Sequence, residues 1–191
     1  MSKQHELKAD NHFALFGLPV RQQLDTEALE KTWHELAVRL HPDRHATASP
    51  AEKRVVMQWA AAINQAWQTL RLPLARARYL CELAGQPLDE SSNTRVSPEF
   101  LMQQMAWREQ LDEARRMSAN NAAIQALRDE VQRCADQLQT QVAHLIDERH
   151  DMAQAAKCVR EWMFVDKLLQ EIQAGDDSIL EASTRGPTAN L

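Results

Sequence analysis

The chain has 191 residues, 44% hydrophobic and 26% charged, which suffices for one ordinary domain or two small ones around a real core. Its net charge of -5 excludes a protein that neutralises nucleic-acid phosphates over its whole surface. No stretch approaches the ~20 apolar residues that a membrane span requires.

Only four glycines, four phenylalanines and one tyrosine are present, whereas the strong helix formers Ala, Leu, Gln, Glu and Arg dominate. No window alternates apolar and polar β-branched residues for long enough to make a strand, so the expected class is all-α. Residues 1–10 are polar and carry no apolar run, so neither a signal peptide nor a transit segment is expected. Cys81, Cys134 and Cys158 are odd in number, widely spaced and set inside helical patterns. They read as small buried hydrophobes in a reducing, cytoplasmic setting, not as disulfides or zinc ligands.

In chain order, a short helix is expected over 11–18, with Phe13, Leu15 and Phe16 apolar and Gly17 and Pro19 closing it. Asp25 is a good N-cap for a second helix, because its carboxylate can accept from the free amides of a first turn. The stripe of that helix is Leu29, Trp33, Leu36 and Leu40, all on one face of a 3.6-residue repeat. It stops at His41-Pro42, since proline disfavours helical geometry in the residue before it. A polar loop over 43–48 leads to Ser49-Pro50-Ala51-Glu52, a capping box with proline at the first helical position. The helix it opens presents Val56, Trp59, Ile63, Trp67 and Leu70 inward and ends before Pro73. A further short helix, 74–84, stops at Gly85.

The pattern breaks over 86–96, which is read as a linker after a self-sufficient unit at 11–85. Ser97-Pro98 restarts it as N-cap and first helical residue. Three helices are expected at about 98–117, 122–147 and 152–174, each with an apolar stripe, and a three-helix bundle is the economical packing for them. Residues 175–191 show no pattern and read as a disordered tail.

The tripeptide His41-Pro42-Asp43 lies between a long helix and a capped long helix. With Phe13-Ala14-Leu15-Phe16-Gly17-Leu18-Pro19 before it and Ile63-Asn64-Gln65-Ala66-Trp67-Gln68-Thr69-Leu70 after it, this part resembles a J-domain. The resemblance implies no covalent chemistry. It implies contact with a DnaK-type ATPase through the tripeptide and the polar face of the preceding helix. On that face Lys31, His34 and Arg39 stand beside Glu35, with Arg44 just past the loop, so the cationic character usual in the family is weak here. Asp43 can accept from donors on the partner, His41 can offer one, and Pro42 keeps the loop from continuing as helix.

The second half lacks the Gly/Phe-rich segment and zinc-binding cysteine pairs of a general J-protein. Instead Pro73-Leu74-Ala75-Arg76-Ala77-Arg78-Tyr79-Leu80, Phe100-Leu101-Met102 through Leu111-Asp112-Glu113, and Val165-Asp166-Lys167-Leu168 are similar to the HscB family of iron–sulfur cluster assembly co-chaperones, bacterial type. A helical wheel supports a binding face independently. With Phe100 at zero and ~100° per residue, Trp107, Leu111 and Ala114 fall within about 40° and form the core face. Leu101, Met102 and Met105 fall instead between about 100° and 200°, and Glu109 and Glu113 continue that sector. Phe164 likewise lies off the stripe of Cys158, Trp162, Val165, Leu169 and Ile172.

In the family this surface holds the scaffold IscU. The resemblance thus implies apolar contacts at Leu101, Met102, Met105 and Phe164 and acidic ones at Glu109 and Glu113. Ala106 stands where relatives often carry another acid. The implied activity is to deliver the scaffold to HscA, a DnaK-type chaperone, and to stimulate its ATPase, with no cofactor bound by this chain. Two alternatives stay open at this point: a J-domain protein with another client, and a helical enzyme or nucleic-acid binder. Against the latter, no Ser-His-Asp or Cys-His pairing, Gly-rich phosphate cradle or basic cluster is present. His34, His41 and His45 match no common zinc spacing.

Overall fold

The computed structural model describes residues 11–86, 88, 96–116 and 121–184. Seven helices and no strand among them bear out the all-α expectation. The short α1, His12–Leu15, is capped by Asn11, whose side chain accepts from the Ala14 amide at 3.0 Å. It is shorter than the expected 11–18. Phe16 already leaves helical geometry, and Gly17 takes φ +64°, a left-handed conformation that stops a helix and that glycine adopts without a Cβ penalty. The turn buries Phe13 and Phe16.

Helix α2, Thr26–Arg39, opens at Asp25, whose Oδ1 accepts from Glu27 and Ala28, each at 3.0 Å. Helix α3, Pro50–Arg71, opens on the capping box: the Glu52 amide donates to Ser49 Oγ at 3.3 Å, and Glu52 Oε2 accepts from the Ser49 amide at 2.8 Å. The Ser49 amide, and after it the Ser49 hydroxyl, which also donates to Glu52 Oε2 at 2.8 Å, hold the Glu52 carboxyl below its ordinary range. The two helices pack as a hairpin. Leu29, Ile63, Ala66 and Leu70 are its buried centre, while Trp33 and Trp67 stay half-buried at the rim, stacked with ring centroids 4.4 Å apart. Rim positions suit them because indole nitrogens need a partner, and Trp33 Nε1 donates to Asn64 Oδ1 at 3.0 Å. Arg71 covers the outer side of Trp67, 4.4 Å from the ring centroid.

Helix α4, Pro73–Leu83, follows, then α5, Pro98–Arg116, α6, Asn121–Asp147, and α7, Met152–Thr184. Helices α6 and α7 form a second hairpin around Val131, Leu138, Val142, Val159, Trp162 and Val165, with α5 laid against α6. The tight connection between them puts His150 at φ +53°, and Asp151 caps α7 by accepting from Gln154 at 3.0 Å.

One expectation is corrected here. Residues 175–184, read from sequence as disordered tail, continue α7 as helix. Glycine costs ~1 kcal/mol inside a helix but does not break one, so Gly175 is no terminator by itself. Residues 185–191 lie outside the described residues, as does most of the segment read as a linker. Of that segment Leu88 and Val96 are buried, each less than a tenth exposed, and Gln86 is half-buried.

The core does not divide at that segment. Phe13, Leu70, Ala77 and Cys81 belong to the same buried cluster as Leu111, Val142 and Ile172, because α4 packs on α7 and touches α6. A polar clamp reinforces the junction. The Asp147 carboxylate, its side chain 6% exposed, accepts from the Gln22 amide at 2.6 Å and the Gln23 amide at 2.8 Å, with Arg21 Nε at 3.6 Å. Gln22 is itself buried and its Nε2 donates to the Pro73 carbonyl at 2.9 Å. Nearby Arg76 is also buried, and its Nη1 donates to the Leu70 carbonyl. Burial pulls its guanidinium down from the ordinary range, and the Asp147 charge opposes that.

Asp147→Ala leaves two backbone donors and a buried guanidinium without their carboxylate. Breaking such a group is expected to lower stability by about 3 kcal/mol, and Tm by about 6–12 °C for a chain of this length. Arg21→Ala, at a side chain 47% exposed, should change Tm far less. Thermal unfolding of both variants checks this, and equal small shifts would mean that the clamp is incidental.

Candidate functional surfaces

Two exposed surfaces carry the residues singled out from sequence. The first is the connection between α2 and α3, expected as a plain loop and found as a short 3-10 turn, Pro42–His45. Proline favours that turn, because its fixed φ suits a first helical position and its missing N–H removes no bond there. His41 stands just before it in extended geometry, its Nδ1 3.4 Å from the Asp43 amide and 3.6 Å from Asp43 Oδ2. The Asp43 amide points at Nδ1, and Nε2 has no partner among the described residues. The Asp43 side chain is 90% exposed, so at least one carboxylate oxygen is open to a donor from outside. The tripeptide thus presents one donor and one acceptor, both in solvent and close together.

Lys31 and His34 lie on the solvent face of α2, about 200° and 140° from Leu29, with Glu35 at about 240°. Arg39 is exposed but turned further round, at about 280°. Arg44 is exposed within the turn. The structure therefore groups His41, Asp43 and Arg44 in one turn and Lys31 with His34 on one face, and sets Arg39 to the side. Sequence reasoning passed over Val38. It is 45% exposed, at about 180° from Leu29 in the middle of that face, and the same wheel would have found it.

The second surface is on α5, whose rotation is fixed from inside. Trp107 is buried and its Nε1 donates to Glu130 Oε1 of α6 at 2.7 Å, while Phe100 meets it edge-on at 6.4 Å between centroids. The start of α5 is tied to α7, where Glu161 accepts from the Ser97 backbone and hydroxyl. Burial raises the Glu161 carboxyl and those two bonds oppose the rise. With the Trp107 side inward, the opposite sector has to face solvent. Leu101 is 43% exposed, Met102 65% and Met105 71%. Glu109 and Glu113 follow on the surface with no ion pair among the described residues. Phe164 differs from the other three, being half-buried in a narrow groove between α5 and α7 lined by Gln104, Trp107 and Arg108. It is part of that groove's lining rather than a free knob.

Among the described residues no group of three or more His, Cys, Asp or Glu could hold a metal ion, and no helix is long and apolar enough to cross a membrane. Burial pushes the Cys81 thiol up to about 11 and raises Cys134 and Cys158, so all three are held as poor nucleophiles and poor ligands.

Comparison with known proteins agrees with this geometry. Residues 96–173 match the family model described as the HSCB C-terminal oligomerisation domain. The chain is 55% identical to the co-chaperone protein HscB homolog of Bordetella petrii over 168 residues, 88% of this chain and 97% of that one. Its structure matches the chaperone HscB from Vibrio cholerae at a TM-score of 0.79 and 34% identity, covering 88% of this chain and 99% of that one. The human co-chaperone protein HscB shares the fold, with a TM-score of 0.81 at 23% identity over 87% of this chain and 82% of that one. With a J-domain leading into a C-terminal helical domain, and with relatives this similar over nearly their whole length, the chain belongs to the HscB co-chaperone family.

Proposed function

We propose that the chain is an adaptor in iron–sulfur cluster assembly, working in the cytoplasm. The helices of 97–174 capture an IscU-type scaffold through Leu101, Met102, Met105 and Phe164, with Glu109 and Glu113 supplying charge beside them. The J-domain of 11–85 brings that scaffold to HscA. His41, Pro42 and Asp43 engage the chaperone there, with Lys31, His34, Arg39 and Arg44 around them, and stimulate its ATPase. Hydrolysis closes the chaperone on the scaffold and promotes cluster transfer. ATP and cluster belong to the partners, and this chain regulates a reaction it does not catalyse.

The observation that carries the reading is the Leu101-Met102-Met105 sector. Three large apolar side chains sit side by side in solvent on a helix whose other face is locked into the core. Such a cluster is the expected signature of a docking surface, and methionine adapts its shape to a partner at little cost. The test is steady-state ATP hydrolysis by HscA with this chain, with and without the scaffold. Stimulation by the chain alone, enhanced further when scaffold is added, is the expected result. Stimulation that ignores the scaffold would point to a J-domain protein with a different client.

A further inference from the structure

His45 closes the turn that carries His41, Pro42 and Asp43. Its Nε2 lies 3.0 Å from the Arg39 carbonyl oxygen, a contact six residues back along the chain. A carbonyl only accepts, so the proton must be on His45 Nε2. The Arg39 carbonyl is one of the last in α2 and has no partner within its helix, since the amide four residues on, that of Asp43, faces His41 instead. The bond therefore ties the far end of the turn to the end of α2, and the whole tripeptide lies inside the loop it closes. Short backbone bonds tighten the same loop, Arg44 N–H to the His41 carbonyl at 3.0 Å and Ala46 N–H to the Asp43 carbonyl at 3.4 Å. Within the turn, His45 is half-buried while Pro42, Asp43 and Arg44 are exposed.

We propose that His45 is a positioning residue, which pins the turn to α2 so that His41 and Asp43 meet the chaperone in one preset geometry. The inference rests on the ATPase-stimulating reading above, and it gives His45 a role separate from contact because its Nε2 is engaged by α2. Without the pin, Asp43 is still present and exposed, but the partner has to order the turn on binding. That cost falls on affinity and leaves the fully bound complex unchanged.

Two substitutions in the full chain test this: His45→Leu, which removes the donor at similar volume, and His45→Gln, which retains an N–H donor. Amide hydrogen exchange at Arg44 and Ala46 reports the pin itself. The concentration of co-chaperone giving half-maximal ATPase stimulation reports positioning. In His45→Leu both are expected to rise about fivefold, the scale of one neutral hydrogen bond, with maximal stimulation and Tm kept, and His45→Gln should restore both. Unchanged exchange in His45→Leu overturns the pin, whatever the ATPase does. Faster exchange with an unchanged half-maximal concentration overturns the positioning role. If the wild-type chain gives no stimulation while the exchange difference is present, the ATPase reading has failed and the role falls with it, although the pin is real.

Discussion

Asp43→Asn is expected to bring stimulation of the chaperone ATPase down to the unstimulated rate while leaving scaffold binding intact. The substitution keeps the size and shape of the side chain and removes its charge. Among the described residues that charge has one ionic neighbour, His41 Nδ1 at 3.6 Å, and the side chain is 90% exposed, so neither turn nor hairpin depends on it. Against a cationic donor on the partner the loss is of another order. Hydrogen bonds to charged groups contribute ~1.5–3 kcal/mol, or about 10- to 100-fold in affinity, and an amide turned the wrong way presents a donor to a donor. A loss of that size removes stimulation at ordinary working concentrations. Parallel ATPase and pull-down measurements check it, and stimulation equal to wild type would sink the role given to the tripeptide.

Replacing Leu101, Met102, Met105 and Phe164 together by alanine is expected to weaken scaffold binding by at least about 100-fold, with ATPase stimulation by the chain alone unchanged. Fully burying a leucine, methionine or phenylalanine contributes ~1.5–3 kcal/mol; Met102 and Met105 have most of their surface still to bury and Leu101 a little under half. The contributions do not add fully, because the flexible side chains must be ordered on binding, so the expected loss is set below their sum. Phe164 is half-buried already, and its truncation should cost stability as well as binding. The triple variant that keeps Phe164 is therefore the cleaner arm. It should retain the wild-type Tm and show most of the binding defect by titration calorimetry. Glu109 and Glu113 are exposed charges and should each matter by ~1 kcal/mol or less, more on the association rate than on affinity. A quadruple variant that binds the scaffold as well as wild type would move the docking surface elsewhere.

The features legible in the sequence are those decided within a few residues. Asp25 and the Ser49-Glu52 box mark their helix starts because a side chain and an amide three positions apart have little choice but to meet. The outward sector of α5 was legible for a related reason. Once Phe100, Trp107, Leu111 and Ala114 claim one side of a helix, the direction of Met102 and Met105 follows from geometry. What escaped depends on distance along the chain or on competition between local preferences. Asp147 looks like an ordinary helix end until Gln22 and Gln23, about 125 positions earlier, arrive beside it. Leu88 and Val96 sit in a stretch without periodicity, and only the folded chain shows that both are buried, Leu88 within the common core. The continuation of α7 beyond Gly175 was hidden by one residue of poor propensity, which a long helix can absorb. His45 drew notice only as a histidine at the wrong spacing for zinc, because a side chain that bonds backward to a carbonyl leaves no mark in a pattern of apolar spacing.

The Asp147 clamp and the common core around it make the protein a strut. Two modules joined by a flexible tether let a captured partner wander through a volume set by the tether's length, and its effective concentration at the second site falls as that volume grows. Here the segment after α1 is bolted to the end of α6, and α4 lies on α7. A partner docked on α5 as proposed would therefore be held at a fixed distance and orientation from the turn after α2. Such a lever presents its load in one pose, and a second protein binding both ends has to match that span.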